Sequence, residues 1–212
     1  MTSVPRSTRV RAVLDATAPS TPVGWAVAVG VGLVAGAFTA YGQGWLSDAT
    51  SSLANSAGPW SLVAFLVARY NRRLVRAVVA AMLTLASCEL GYVLATDFRG
   101  GSNSSSTIAF WMVAAVLAGP PLGVAGSWAT KGGLRRSIGF AVIGGVLIGE
   151  GVYGWTTVAD TTDWRYWAVE TVIGAAIVAL LAMRSRWPRH ALATVGAAAA
   201  TALVVFAVGR MA

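Results

Sequence analysis

Long apolar runs alternate along this chain with short breaks that are polar, basic or rich in Gly and Ser. The runs approach the ~20 residues that a helix needs to cross a hydrocarbon core of ~30 Å. They predict spans over residues 23–45, 47–70, 74–95, 107–130, 137–158, 164–183 and 190–209. The second span is irregular, because Asn55, Ser56, Gly58 and Pro59 stand where its helix should begin. Pro59 suits a first helical turn, with Asn55 or Ser56 capping just ahead of it. That pattern fits either a re-entrant or partly unwound piece, or an ordinary loop followed by a short tilted helix. Gly119-Pro120-Pro121-Leu122-Gly123 interrupts the fourth span and predicts a kink. Gly32 and Gly36 form a G-x-x-x-G packing face in the first. The last span is an Ala/Val helix expected to act as scaffold.

Ahead of these runs, residues 1–22 carry Arg6, Arg9 and Arg11 and read as a flexible cytoplasmic tail. A signal peptide fits less well, since the apolar run that follows is too long and lacks a small-residue cleavage site. Residues 23–212 form one transmembrane domain. With 56% hydrophobic and 11% charged residues, the expected class is an all-α integral membrane protein, a bundle of about seven helices.

Charge then sets the orientation. Thirteen of the sixteen Lys and Arg fall in the N-terminal tail and in the turns around 69–76, 131–136 and 184–189. Seven spans put all of these on one side, which is cytoplasmic by the positive-inside rule, and leave the C-terminus outside. Six spans would break the alternation. The net charge of +8 is thus explained by basic loops, without nucleic acid as a partner. The lipid bilayer is the partner, and a multi-pass place in a bacterial plasma membrane is the expected location.

Three carboxylates stand inside the spans: Glu89, Glu150 and Glu170. An isolated ionisable group at membrane depth costs several kcal/mol unless it is paired, neutralised or hydrated. Glu150 sits among Gly144, Gly145, Gly149, Gly151 and Gly154, whose missing side chains let neighbouring backbones come close. It lies roughly 20 Å above the inner surface at about 1.5 Å per residue, and Glu89 and Glu170 also fall in the outer half. No basic residue lies in the interior of any span to pair with them. They must be protonated, share protons or await a cation.

Two of these segments share the form E-x-x-Y-x-x-x-T: Glu89, Tyr92, Thr96 and Glu150, Tyr153, Thr157. Those spacings lie on one helical face and resemble a repeated helical hairpin. The sixth span carries the order in reverse, as Asp163, Trp167 and Glu170. With Asn55 and Trp60, these residues predict an outward-facing vestibule of glutamates and aromatics. The candidate binding residues are Glu89, Tyr92, Glu150, Tyr153, Glu170, Trp167, Asn55 and Trp60. Such a wall suits a small cationic solute, held by ionic and cation–π contacts, and allows proton coupling. The competing reading is a non-transporting envelope protein, an assembly partner or regulator. Its glutamates would only join helices and its aromatics anchor the interface.

Enzymatic chemistry is not expected. The lone Cys88 and lone His190 supply neither a disulfide framework nor a metal-ligand set, and no nucleophile–base pair or phosphate-binding glycine loop is present. No cofactor is implied.

The segments Tyr41-Gly-Gln-Gly-Trp-Leu46 and Leu53–Phe65, with the outer-half glutamates, resemble a domain-of-unknown-function family of actinobacterial multi-pass membrane proteins. The resemblance covers most of the chain after residue 22 and implies an envelope membrane protein without assigning an activity. The Ala/Val/Arg-rich composition fits a high-GC bacterium. By size and by its aromatic–carboxylate cluster the chain also looks like the substrate-binding subunits of energy-coupling-factor vitamin importers, which work with partner membrane subunits. Those have six spans where seven are counted here, and no motif carries a residue across.

Overall fold

Apolar side chains cannot drive helices together in a medium as apolar as they are, so small residues and close backbone contact must do it. The computed structural model, which describes residues 21–71 and 73–210, is built on that device. Its helices are α1 (Thr21–Trp45), α2 (Asp48–Ser51), α3 (Ala57–Asn71), α4 (Leu74–Phe98), α5 (Ser105–Ala129), α6 (Gly133–Thr157), α7 (Trp164–Met183) and α8 (Pro188–Gly209), with a 3-10 turn over Ser52–Asn55. There is no strand among the described residues. The N-terminal tail predicted over residues 1–22 falls almost wholly outside them.

Each main seam has its glycines. A Cβ on Gly36 of α1 would lie 2.7 Å from the Cys88 carbonyl carbon of α4, and Gly91 of α4 answers against Leu33. Gly119 and Gly123 bring α5 onto Met82 and Val78 of α4. Helix α6 uses separate glycines for separate neighbours. Gly144 meets Gly174 of α7, while Gly145 and Gly149 meet Ala198, Thr201 and Ala202 of α8.

The short α3 fills the middle. Its Ala64, Phe65 and Ala68 are buried against Ala77, Ala81 and Leu85 of α4, Leu122 and Ala125 of α5, and Ile143 and Val146 of α6. The periphery is the reverse of a soluble protein's. Val34 is 71% exposed, Leu117 70% and Leu192 73%, on an apolar surface that suits lipid.

Among the described residues, six helices (α1, α4, α5, α6, α7 and α8) are long and apolar enough to cross a membrane. The predicted second span is divided into α2, the 3-10 turn and α3. At 15 residues α3 reaches only about 22 Å, short of a ~30 Å core. Pro59 lies in its first turn, where a missing N–H costs nothing. The expected interruption at Pro120 and Pro121 does not end α5, which continues to Ala129.

Candidate functional site

Helix α3 begins inside the bundle, and its first residues decide the site. Ser56 is extended (φ −105°, ψ 135°), so the chain leaves the 3-10 turn and re-enters helix at Ala57. The opening N–H groups of any helix lack intrahelical acceptors, and in lipid no solvent replaces them. Glu150 of α6 supplies the acceptor. The Ala57 N–H donates to Glu150 Oε1 at 2.6 Å, and the Gly58 N–H faces the same carboxyl. A side chain 93 positions away in sequence thus does the work of an N-cap. The positive end of the α3 dipole favours negative charge at this point.

Glu170 of α7 reaches the same place. The two carboxyls lie within hydrogen-bonding reach of each other, with Ser56 beside both. Gly58 makes the meeting possible. A Cβ there would collide with Glu170 Oε1 and come within 2.7 Å of Glu150 Oε2. Above them the Tyr166 hydroxyl donates to Ser56 Oγ at 2.8 Å. Glu150 is only 8% exposed and Glu170 5%. Yet Oε2 of Glu150 and both oxygens of Glu170 have no well-formed hydrogen bond from the protein. Two carboxylates are acceptors only, so they cannot satisfy each other without something positive between them.

Glycines also bring α7 to Glu150. Gly151 admits Thr171 and the Trp167 backbone, and Gly154 lies under the Trp167 ring. The Trp167 indole N–H donates to Thr162 Oγ1 at 2.8 Å, and its ring meets Tyr166 edge-on at 4.8 Å.

A model of a family of unknown function, DUF6518, matches residues 15–212. The chain belongs to that family. No curated protein and no solved structure matches it. The site of this DUF6518 member is therefore read from its own residues.

The predicted residues divide into groups. Glu150 and Glu170 meet at the start of α3, with Trp167 packed beside them on α7. Trp60, three residues further along α3 than Ala57, faces other helices. Its indole N–H donates to Thr39 Oγ1 at 3.0 Å, and its ring lies 6.4 Å from Tyr92 and 6.0 Å from Trp111. Tyr92 also exchanges a hydrogen bond with the Gln43 amide. Glu89, one turn before Tyr92, is 2% exposed, and no contact joins it to Glu150 or Glu170. Tyr153 packs against Gly209 of α8, so the two E-x-x-Y-x-x-x-T stripes meet different neighbours. Asn55 ends the 3-10 turn just before the site. No three His, Cys, Asp or Glu side chains among the described residues converge as a metal site would require.

Ser56 and Gly58 were missed as site residues, and Tyr166 reads only as one of the aromatics rimming the vestibule. Ser56 reads in the sequence as a cap and Gly58 as part of a helix start. One signal was available. Gly144, Gly151 and Gly154 lie on the face of α6 next to Glu150, and their partner helix had to bring the second carboxyl.

Proposed function

We propose that this protein is a multi-pass protein of the bacterial plasma membrane that binds and carries a small cationic solute from an outward-facing vestibule. The single observation that supports this most is the pair of buried carboxyls at the start of a helix that begins inside the bundle. Interrupted helices and intramembrane acids lie on substrate and ion paths far more often than chance packing would place them there. Trp60, Tyr92 and Trp111 provide an aromatic wall on the other side of the same helical turn, with Glu89 one turn below Tyr92. Such a wall attracts an organic cation.

The proposed topology has seven crossings, the second being a composite of the 48–56 segment and α3. The N-terminus is cytoplasmic and the C-terminus outside, because that arrangement collects the basic turns on one side. The role is binding or transport and not catalysis, alone or with partner membrane subunits.

The rival reading, helix-joining glutamates in an assembly protein, draws on the 2.6 Å bond from Ala57 to Glu150. It leaves three buried carboxyl oxygens without a hydrogen bond from the protein, a lack that a bound proton or cation would answer.

The test is thermal unfolding of the detergent-purified protein with a panel of organic cations, beside Glu89→Gln and Glu150→Gln. A ligand that binds the native state raises the melting temperature with concentration. One compound that stabilises wild type and neither variant would support the proposal. No response to any compound, with both variants melting well below wild type, would transfer it to the rival reading.

A further inference from the structure

The carboxyl pair at the start of α3 is more specific than a general cation site. We propose that Glu150 and Glu170 hold one exchangeable proton between them, carried by Glu170 and directed at the Glu150 carboxylate, with Ser56 and Tyr166 as its route to the outer side. The inference deepens the reading of this site as the working centre of the protein, and its test is separate from any solute.

The surroundings of the two acids are unequal. Glu150 receives the Ala57 N–H at 2.6 Å and faces the Gly58 N–H, at the positive end of α3. These are the partners of an ionised carboxylate. Glu170 is buried and has no backbone donor, so it is the member of the pair that carries hydrogen. A single proton on Glu170 turns two mutually repelling acceptors into a donor and an acceptor, and joins two of the three buried oxygens that lack partners.

A metal ion fits less well, for two physical reasons. It would face the same positive helix end that stabilises Glu150. It would also need space where the Gly58 backbone already lies against both carboxyls. Among the described residues, the only other ionisable group in contact with the pair is Tyr166, since Ser56 and the first residues of α3, Ala57 and Gly58, bring none.

The route follows from the Tyr166–Ser56 hydrogen bond and from Ser56 standing beside both carboxyls. Tyr166 stands four residues before Glu170, one turn nearer the start of α7, and donates to Ser56. Uptake is then a chain of transfers: Ser56 gives its hydrogen to the carboxylate, Tyr166 gives its own to Ser56, and outer water replaces the Tyr166 hydrogen. Release runs the same bonds in reverse after the hydroxyls rotate.

The experiment is infrared difference spectroscopy of the protein in lipid nanodiscs, in a Glu89→Gln background so that one other intramembrane acid is silent. At neutral pH the expected spectrum has the carbonyl band of one protonated carboxyl, shifted by deuterium oxide. Glu170→Gln should remove the whole band, Glu150→Gln should keep it at a changed frequency, and Tyr166→Phe should keep it but slow the deuterium shift several-fold. Absence of the band would overturn the proposal. So would its loss on adding sodium, lithium or potassium at constant pH, or its removal by Glu150→Gln but not by Glu170→Gln. If a Gln variant does not fold, the band, its deuterium shift and its response to alkali ions in the Glu89→Gln protein still decide. A solute screen that finds nothing leaves this result untouched, so the two failures are distinguishable.

Discussion

A single missing methyl group makes the site possible. Alanine in place of a helical glycine usually gains up to ~1 kcal/mol of stability. At Gly58 the sign should reverse, because the new Cβ would collide with Glu170 and crowd Glu150. Gly58→Ala is expected to lose about 1–3 kcal/mol, as overpacking does. Gly30→Ala, with nothing within 4 Å, should be neutral or slightly stabilising. Thermal unfolding of the two variants side by side checks the pair. Much of the chemistry at this scale was legible: an acid alone among glycines in an apolar run has to find company. Which acid it finds was not legible. Glu89 and Glu170 stand at similar depths, and depth says nothing about rotation around a helix axis. The face of α4 near Glu89 is taken up by α1, where Gly36 lies against Cys88, while the glycines of α6 open towards α7.

Among elements, what fixes the site is the placement of α7 and of the seams that hold α6. Asp163 caps α7 by accepting the Arg165 N–H at 2.8 Å. Asp163→Ala should cost about 1 kcal/mol, and because Glu170 lies two turns further along, it should also reduce solute stabilisation if α7 shifts. A melting curve with and without ligand reads both effects. Gly149→Leu would force a branched side chain into Ala202 of α8. Overpacking on that scale costs about 1–3 kcal/mol or more, read as a lower melting temperature and a smaller monodisperse fraction. The G-x-x-x-G face of α1 was recognisable in sequence, though not its partner. The run of α5 through Pro120 and Pro121 keeps the single span read over 107–130, because neighbouring helices let a membrane helix tolerate proline. The broken second span was half legible. Pro59 marked a helix start, but only packing against α4, α5 and α6 shows that start inside the bundle.

Across the whole molecule, the apolar surface and the proposed gathering of the basic turns on one side together make an orientation that can be measured. In a Cys88→Ala background, Ser102→Cys and Thr161→Cys should react with a membrane-impermeant thiol reagent added to intact cells. Lys131→Cys and Arg186→Cys should react only after permeabilisation. The reverse pattern would invert the proposed topology. At this scale composition was sufficient for the class, a bundle of helices long and apolar enough to cross a membrane, because membrane thickness acts on the chain without regard to detailed packing.

The bond from Ala57 to Glu150 also has a meaning in time. The chain is made from its N-terminus, and residue 57 is synthesised well before residue 150. Until α6 and α7 enter the membrane, the first N–H groups of α3 have no acceptor there, so α3 has no reason to settle at its final depth. Helix α3 is therefore seated from behind, by α6 and α7, and a nascent chain halted after α5 should leave residues 48–58 open to proteases at the membrane surface.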